Sequence, residues 1–355
     1  MRPSSSMGTL KSARMNTRLP VTSRSRMVFL VMVQAPGAGR YRSRMAEGRV
    51  IVVMGPTASG KSALAMAMAR AAGARAELIS ADSMQVYRGM DVGTAKPTAA
   101  ERAEVPHHGL DLVEPTHDGF TVEDWLEHAN AALTAIHGRG GVAIVVGGTN
   151  LYAKALLEGL FDGPPADAVL REELAAWALD ALRTELIRID PAAAERIHRN
   201  DRRRTIRAIE VHRATGTPIS VLQAQWRERP AALPAGWSLI GLTMGVEANN
   251  RRINARVRGM RTMGLVDEVR SLVAAGGFGA QAATAVGYRE LLAHLRGTSS
   301  EDDAFEAIKI ATRQLAKQQR TWLKRFADTP GSTWIDAGDG LTDAQMAEIA
   351  KISFA

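Results

Sequence analysis

The residues best suited to chemistry form one run, Gly55-Pro56-Thr57-Ala58-Ser59-Gly60-Lys61-Ser62, in a chain of 355 residues. This run matches G-x-x-x-x-G-K-[ST] and sits between an apolar stretch, Val50 to Met54, and a helical pattern from Lys61 to Ala72, the context the motif requires. A loop of this kind turns successive backbone N–H groups toward phosphate oxygens, and the helix behind it adds its positive end. Lys61 then supplies a cation, and the Ser62 hydroxyl is a candidate Mg²⁺ ligand. The expectation is a polyphosphate ligand with Mg²⁺ as cofactor, of unspecified identity.

An NTPase or kinase normally adds an Asp at the end of a second apolar strand. Here the candidate strand Val142 to Val146 runs into Gly147-Gly148-Thr149 instead. The kinase reading is weakened but stays open. Asp82 follows another apolar stretch, Ala76 to Ser80. Carboxyl ends of parallel strands open onto the ligand crevice, so Asp82 either faces the phosphate loop or caps a turn, and position alone favours neither.

Positioning these groups requires an α/β fold. Short runs apolar on both faces, alternating with helical patterns, indicate a P-loop parallel sheet flanked by helices. Ser238 to Met244 is a further strand, and Thr333 to Ile335 closes the sheet. Residues 47–163 and 235–340 are assigned to this catalytic core. Residues 164–234 show helical spacing without a strand signal and read as an all-helical insertion. Within it, Arg196 to Arg213 holds seven arginines against Asp201 and Glu210. From Glu306 to Phe326 a helix places Lys309, Arg313, Lys317, Arg320 and Lys324 on one basic face.

The net charge of +8 does not by itself point to nucleic acid. Residues 1–46 carry nine Lys and Arg and no acid, which leaves the remaining chain close to neutral. That head reads as a disordered or misassigned extension, with Met45 as a candidate start, or as a targeting segment. The longest early apolar run, Met27 to Val33, is far shorter than the roughly 20 residues needed to cross a bilayer, so no membrane partner is expected. The absence of cysteine excludes disulfides and thiolate catalysis and fits a cytoplasmic setting. His107-His108 reads as structural rather than metal-binding, because neighbours on an extended segment point apart. Trp226, Trp237 and Trp322 read as packing residues.

The segment from Ile79 through Asp82-Ser83-Met84-Gln85 to Pro97 resembles the signature of the tRNA dimethylallyltransferase family. Colinear with it stand Gly55 to Ser62, Pro106 to Asp111, Val146 to Tyr152, Asn200-Asp201 with the following arginines, Val286 to Arg289, and Ala311 to Lys317. The resemblance spans roughly Val50 to Phe326, and the lack of a Cys-containing finger beyond it is similar to the bacterial type.

That resemblance implies transfer of a dimethylallyl group from dimethylallyl diphosphate to the exocyclic amine of the adenosine 3′ of the anticodon. Asp82 would be the general base, Thr57 and Arg252 would contact substrate or diphosphate, and Arg256 is a further candidate. It implies an anticodon stem-loop contact through Asp82 to Gln85, Thr149, Arg171, and Arg203-Arg204-Thr205-Ile206-Arg207. A monomer is expected. An adenylate isopentenyltransferase, prenylating a free nucleotide, remains the nearest alternative, against which the arginine block argues.

Overall fold

In β1 (Val50–Met54), Val50, Val52 and Met54 point to one apolar core, while Ile51 and Val53 point to a second on the opposite face. Burial on both faces explains why the strand reads as unbroken apolar sequence. The computed structural model describes residues 48–161, 163–224 and 233–354. The expectations for residues 1–46, for Trp226 and for the Pro230 end of the insertion lie outside the described residues.

The other strands are β2 (Ala76–Ser80), β3 (His107–His108), β4 (Val142–Gly147), β5 (Trp237–Thr243) and β6 (Ser332–Asp336). All are parallel, in the order β3-β2-β4-β1-β5-β6. Val52 pairs with Val145 on one side and Leu239 on the other, so β1 is central. The α/β sheet expected from sequence is present, with β6 at one edge. His107-His108 adds a two-residue edge strand too short to leave a pattern; His107 Nδ1 meets the Val105 carbonyl at 2.7 Å and His108 Nε2 meets Glu77 at 2.7 Å.

Fourteen helices follow the strands among the described residues. In the first half these are α1 (Lys61–Ala72), α2 (Ala99–Glu104), α3 (Val122–Gly138) and α4 (Asn150–Glu158). A strand-free region comprises α5 (Ala168–Ala176), α6 (Leu179–Ile189), α7 (Pro191–Arg196), α8 (Arg202–Thr215) and α9 (Ile219–Leu222). After β5 come α10 (Val246–Thr262), α11 (Leu265–Ala274), α12 (Tyr288–Leu295), α13 (Glu301–Ala327) and, after β6, α14 (Asp343–Phe354).

Helices α1 and α14 supply Leu64, Met68 and Met346 to the core on one face of the sheet. On the other, Trp125 of α3 stacks on Tyr152 of α4 at 4.4 Å and donates its indole N–H to the Ser80 carbonyl at 2.8 Å. This bond fixes the end of β2, from which Asp82 emerges. Helices α5 to α9 build small cores of their own around Leu186, Ala208 and Val211, and around Leu174, Leu182 and Ile209.

Candidate active site and RNA-facing cleft

Strands β2, β4 and β1 are adjacent, so their carboxyl ends bring Asp82, Thr149 and the phosphate loop to one edge of the sheet. A cleft of about 910 Å³ opens there, lined by Thr57, Asp82, Ser83, Met84 and Thr149. Gly147 explains why the acid comes from β2 and not from β4. A Cβ at Gly147 would lie 2.0 Å from the Ala81 carbonyl oxygen, so the backbone after β2 crosses the end of β4 at close range. Thr149 then anchors the crossing: its amide donates to Ala81 O at 3.1 Å, and its Oγ1 accepts from the Ser83 amide at 2.9 Å.

The Asp82 carboxylate accepts the Met84 amide through Oδ1 at 3.0 Å. Its Oδ2 has no hydrogen bond among the described residues and is available to a substrate. Gln85 does not point at a ligand. It accepts from Ser80 Oγ at 2.7 Å and donates to the carbonyls of Thr94 and Ala95, tying the start of the segment to its far wall.

The phosphate loop closes on itself through the Ser59 amide and Pro56 carbonyl, 3.2 Å apart. Ala58 and Gly60 take φ of +63° and +97°. For Ala58 that left-handed conformation costs about 1–2 kcal/mol, so the surroundings must hold it. They do so from the far half of the chain. Asn249 donates to Thr57 O at 2.9 Å, Arg252 Nε to Ala58 O at 2.7 Å, and Arg256 to Thr57 Oγ1 at 3.4 Å. Buried Gln319 of α13 accepts the Thr57 amide at 2.8 Å and donates to Gly148 O at 3.0 Å, bridging the loop to the end of β4. Helix α1 begins with neither a side-chain cap nor an acid in its first turn, which leaves its N-terminal amides and positive end to an anion.

Charge in this region is concentrated and poorly hydrated. Burial pushes Lys61 down to about 8; Arg256 adds to the fall and Asp82 opposes it. Burial and then neighbouring Arg252 also hold Arg256 below its ordinary value, again against Asp82. Three cations crowd one loop with Asp82 as the opposing carboxylate, an arrangement that a bound polyanion relieves. Ser62 is exposed and, like Lys61 and Arg252, is not among the residues that line the cleft; the loop reaches the cleft through Thr57, with Arg256 beside it.

A second support was not visible in the sequence. Glu268 of α11 accepts the amides of Asp91, Val92 and Gly93 at 3.0, 2.7 and 3.2 Å, and the Tyr288 hydroxyl at 2.5 Å. Burial and the adjacent Glu268 carboxylate raise Tyr288, which keeps it a donor. The other side of the segment is fastened by buried Lys96, which donates to Asp91 at 2.8 Å, Asp111 at 2.6 Å and Tyr87 O at 2.6 Å. Together they fix the cleft wall at Gly93, Thr94 and Ala95.

The arginine block divides by partner. Arg171 grips buried Glu210 with two bonds of 2.9 and 3.0 Å, and Arg207 reaches Glu210 at 2.6 Å and Pro164 O at 2.8 Å. Arg171 therefore ties α5 to α8 and does not line the cleft, whereas Arg207, bonded within α8 and to the segment before α5, does line it. Thr205 is buried, with its hydroxyl on Asp201 O, and Ile206 packs against the Leu174 and Leu182 core; neither faces the cleft. Arg204 lines the cleft and Arg203 is exposed beside it.

The expected single basic face of α13 is also divided. Arg313 and Arg320 turn onto α10 and donate to Asn254 and Asn249 at 2.6 and 2.8 Å, because helix packing claims that side. Trp237 packs in the core as expected. Trp322 departs from expectation: it is 38% exposed and lines the cleft. No group of three or more His, Cys, Asp or Glu that could hold a metal occurs among the described residues. Nor is any described helix long and apolar enough to cross a membrane.

A family model described as IPP transferase matches residues 85–326. The chain is 46% identical over 285 residues to a tRNA dimethylallyltransferase of Geobacter metallireducens, covering 79% of this chain and 91% of that protein. The chain belongs to the tRNA dimethylallyltransferase family. Among solved structures, the full-length tRNA isopentenylpyrophosphate transferase of Bacillus halodurans superposes with a TM-score of 0.62 at 37% identity, covering 86% of this chain and 95% of that one. A eukaryotic dimethylallyltransferase captured acting on tRNA gives a TM-score of 0.70 at 27% identity, over 82% and 74% of the two chains. A tRNA dimethylallyltransferase is a prenyltransferase, which accounts for a phosphate loop without the second-strand acid of a kinase.

Proposed function

We propose that this enzyme transfers the dimethylallyl group of dimethylallyl diphosphate to the exocyclic amine of the adenosine 3′ of the anticodon in tRNA. It does so as a monomer in the cytoplasm, a setting that the cysteine-free composition fits. The observation that carries the reading is the meeting of two functions in one cleft. Lys61, Arg252, Arg256 and the uncapped start of α1 converge on the phosphate loop, whose Thr57 lines the cleft with Arg256, and Asp82 lines the same cleft with a free carboxylate oxygen.

The diphosphate lies on the loop amides, with Lys61 and the guanidinium groups facing the charge that grows on it as it leaves. The adenine amine attacks the allylic carbon, the bond from that carbon to the diphosphate oxygen breaks, and a proton passes from the amine to Asp82. Thr57, held by Asn249, Arg256 and Gln319, presents its hydroxyl to the donor. Ser62 would offer an oxygen donor to a Mg²⁺ ion held mainly by the substrate, and no all-protein cage accompanies it among the described residues. When bound, the ion would neutralise charge on the leaving diphosphate.

The acceptor base has to leave its loop to reach Asp82, at the cost of unstacking it from its neighbours. Helices α5 to α9, with Arg203, Arg204 and Arg207, form the face that meets the anticodon stem-loop. Incubation with Mg²⁺, labelled dimethylallyl diphosphate and unmodified tRNA, followed by nuclease digestion, tests the reading. Label on the exocyclic nitrogen of the single adenosine after the anticodon is expected. Phosphate release from ATP without any prenylated nucleoside would return the chain to the kinase reading.

A further inference from the structure

Two tryptophans among the described residues are satisfied by packing: Trp125 is fully buried, stacked and hydrogen-bonded, and Trp237 lies in the sheet core. Trp322 is the contrast. It lines the cleft while 38% exposed, and Leu151 of α4, 41% exposed, lines the same opening. Apolar area left facing water inside a cleft costs about 25 cal/mol for each Å², so an occupant that covers it gains.

The position of the ring along α13 indicates what that occupant is. Trp322 lies three residues beyond Gln319, on the same helix face and about one turn from the side chain that holds Thr57. Both residues line the cleft, and the backbone of Trp322 lies about 4.5 Å along α13 from that of Gln319. A purely apolar prenyl chain finds a drier wall elsewhere in the cleft, where buried Val257 and Met260 follow Arg256 on α10 and buried Ile308 of α13 joins them. Arg196, Arg204 and Arg207 line the same cleft, whereas Arg325 is paired there with Glu158. An aromatic face beside positive charge suits a group with a flat ring and an attached phosphate.

We infer that Trp322 is the platform on which an unpaired base of the RNA acceptor stacks, next to the adenosine that enters the reaction centre. The inference rests on the RNA-acceptor reading above. When the target adenosine swings out, its neighbour loses a stacking partner, and the indole replaces that partner on one face.

The test measures binding of an anticodon stem-loop, kcat, and KM for dimethylallyl diphosphate, in wild type, Trp322→Ala and Trp322→Phe of matched melting temperature. Loss of the ring is expected to weaken stem-loop binding about 5- to 150-fold, the worth of one base on an aromatic face, with Trp322→Phe recovering most of it. KM for dimethylallyl diphosphate stays unchanged. Stem-loops made abasic at each unpaired position in turn provide the coupling. One position weakens binding to wild type and adds nothing further in Trp322→Ala. Unchanged RNA affinity in Trp322→Ala, a defect confined to KM for dimethylallyl diphosphate, or additive losses at every abasic position would each overturn the assignment. If wild type prenylates no RNA while binding dimethylallyl diphosphate, the RNA reading itself falls.

Discussion

Lys61 and Arg256 are pressed against the phosphate loop and stripped of much of their water, with half-buried Arg252 bonded to the loop beside them, whereas the arginines of α8 stand in solvent or pair with acids of their own helical region. The loop borrows its shape from α10 and α13, through Asn249, Arg252 and Gln319. The arginine block is supported locally by Glu210 and Asp201. Desolvated charge suits bond breaking, because each interaction strengthens where water is excluded. Solvated charge suits RNA capture, where attraction acts at range and fades with salt.

Four perturbations sharpen this contrast. Asp82→Asn removes the proton acceptor and should lower kcat by about 10²- to 10⁴-fold while tRNA affinity is preserved; single-turnover transfer and filter binding measure the two separately. A comparable loss of binding would make Asp82 part of the RNA surface alone. The second perturbation is pH. Lys61 loses its proton as pH rises through about 8 in the free enzyme, so kcat/KM for dimethylallyl diphosphate should fall above that pH, approaching tenfold per pH unit. Lys61→Arg, charged throughout, should flatten the profile.

Gln319→Leu keeps the volume and cuts both the Thr57 and Gly148 bonds. With two neutral hydrogen bonds lost, KM for the diphosphate donor should rise about tenfold. The smallest effects separate the arginines. Converting Arg203 and Arg204 to Ala should reduce the salt slope of tRNA binding by about 1.4, two single-strand phosphate contacts, with the melting temperature unchanged. Arg171→Ala should instead cost about 1 kcal/mol of stability, discounted for its exposure, and leave the slope alone. Reversed results would exchange the structural and RNA-binding roles of the two groups.

The same contrast shows what the sequence made legible. The phosphate loop and strands β1, β2, β4 and β5 could be read because a buried parallel sheet forces continuous apolar runs and the loop motif is contiguous. Asp82 was placed at a strand end by position and given its role by family resemblance. Gln319, Asn249 and Glu268 left no local sign: their partners lie 262, 192 and up to 177 residues away, and a lone amide or acid on a helix reads as solvated. Arg313 and Arg320 fell into a basic periodicity identical to that of an exposed stripe, and only the packing of α10 on α13 distinguishes them. Trp322 was assigned to packing for the same reason, since spacing does not report which helix face meets an open cleft.

The central claim is that the phosphate loop and Asp82 serve a base presented by an RNA loop, with α5 to α9 as the surface that presents it. The direct test compares kcat/KM for dimethylallyl transfer to an unmodified anticodon stem-loop with that for transfer to AMP at equal Mg²⁺. A strong preference for the stem-loop, abolished at high salt, is the predicted result; equal or better transfer to AMP would contradict it and make the helical region irrelevant to acceptor choice.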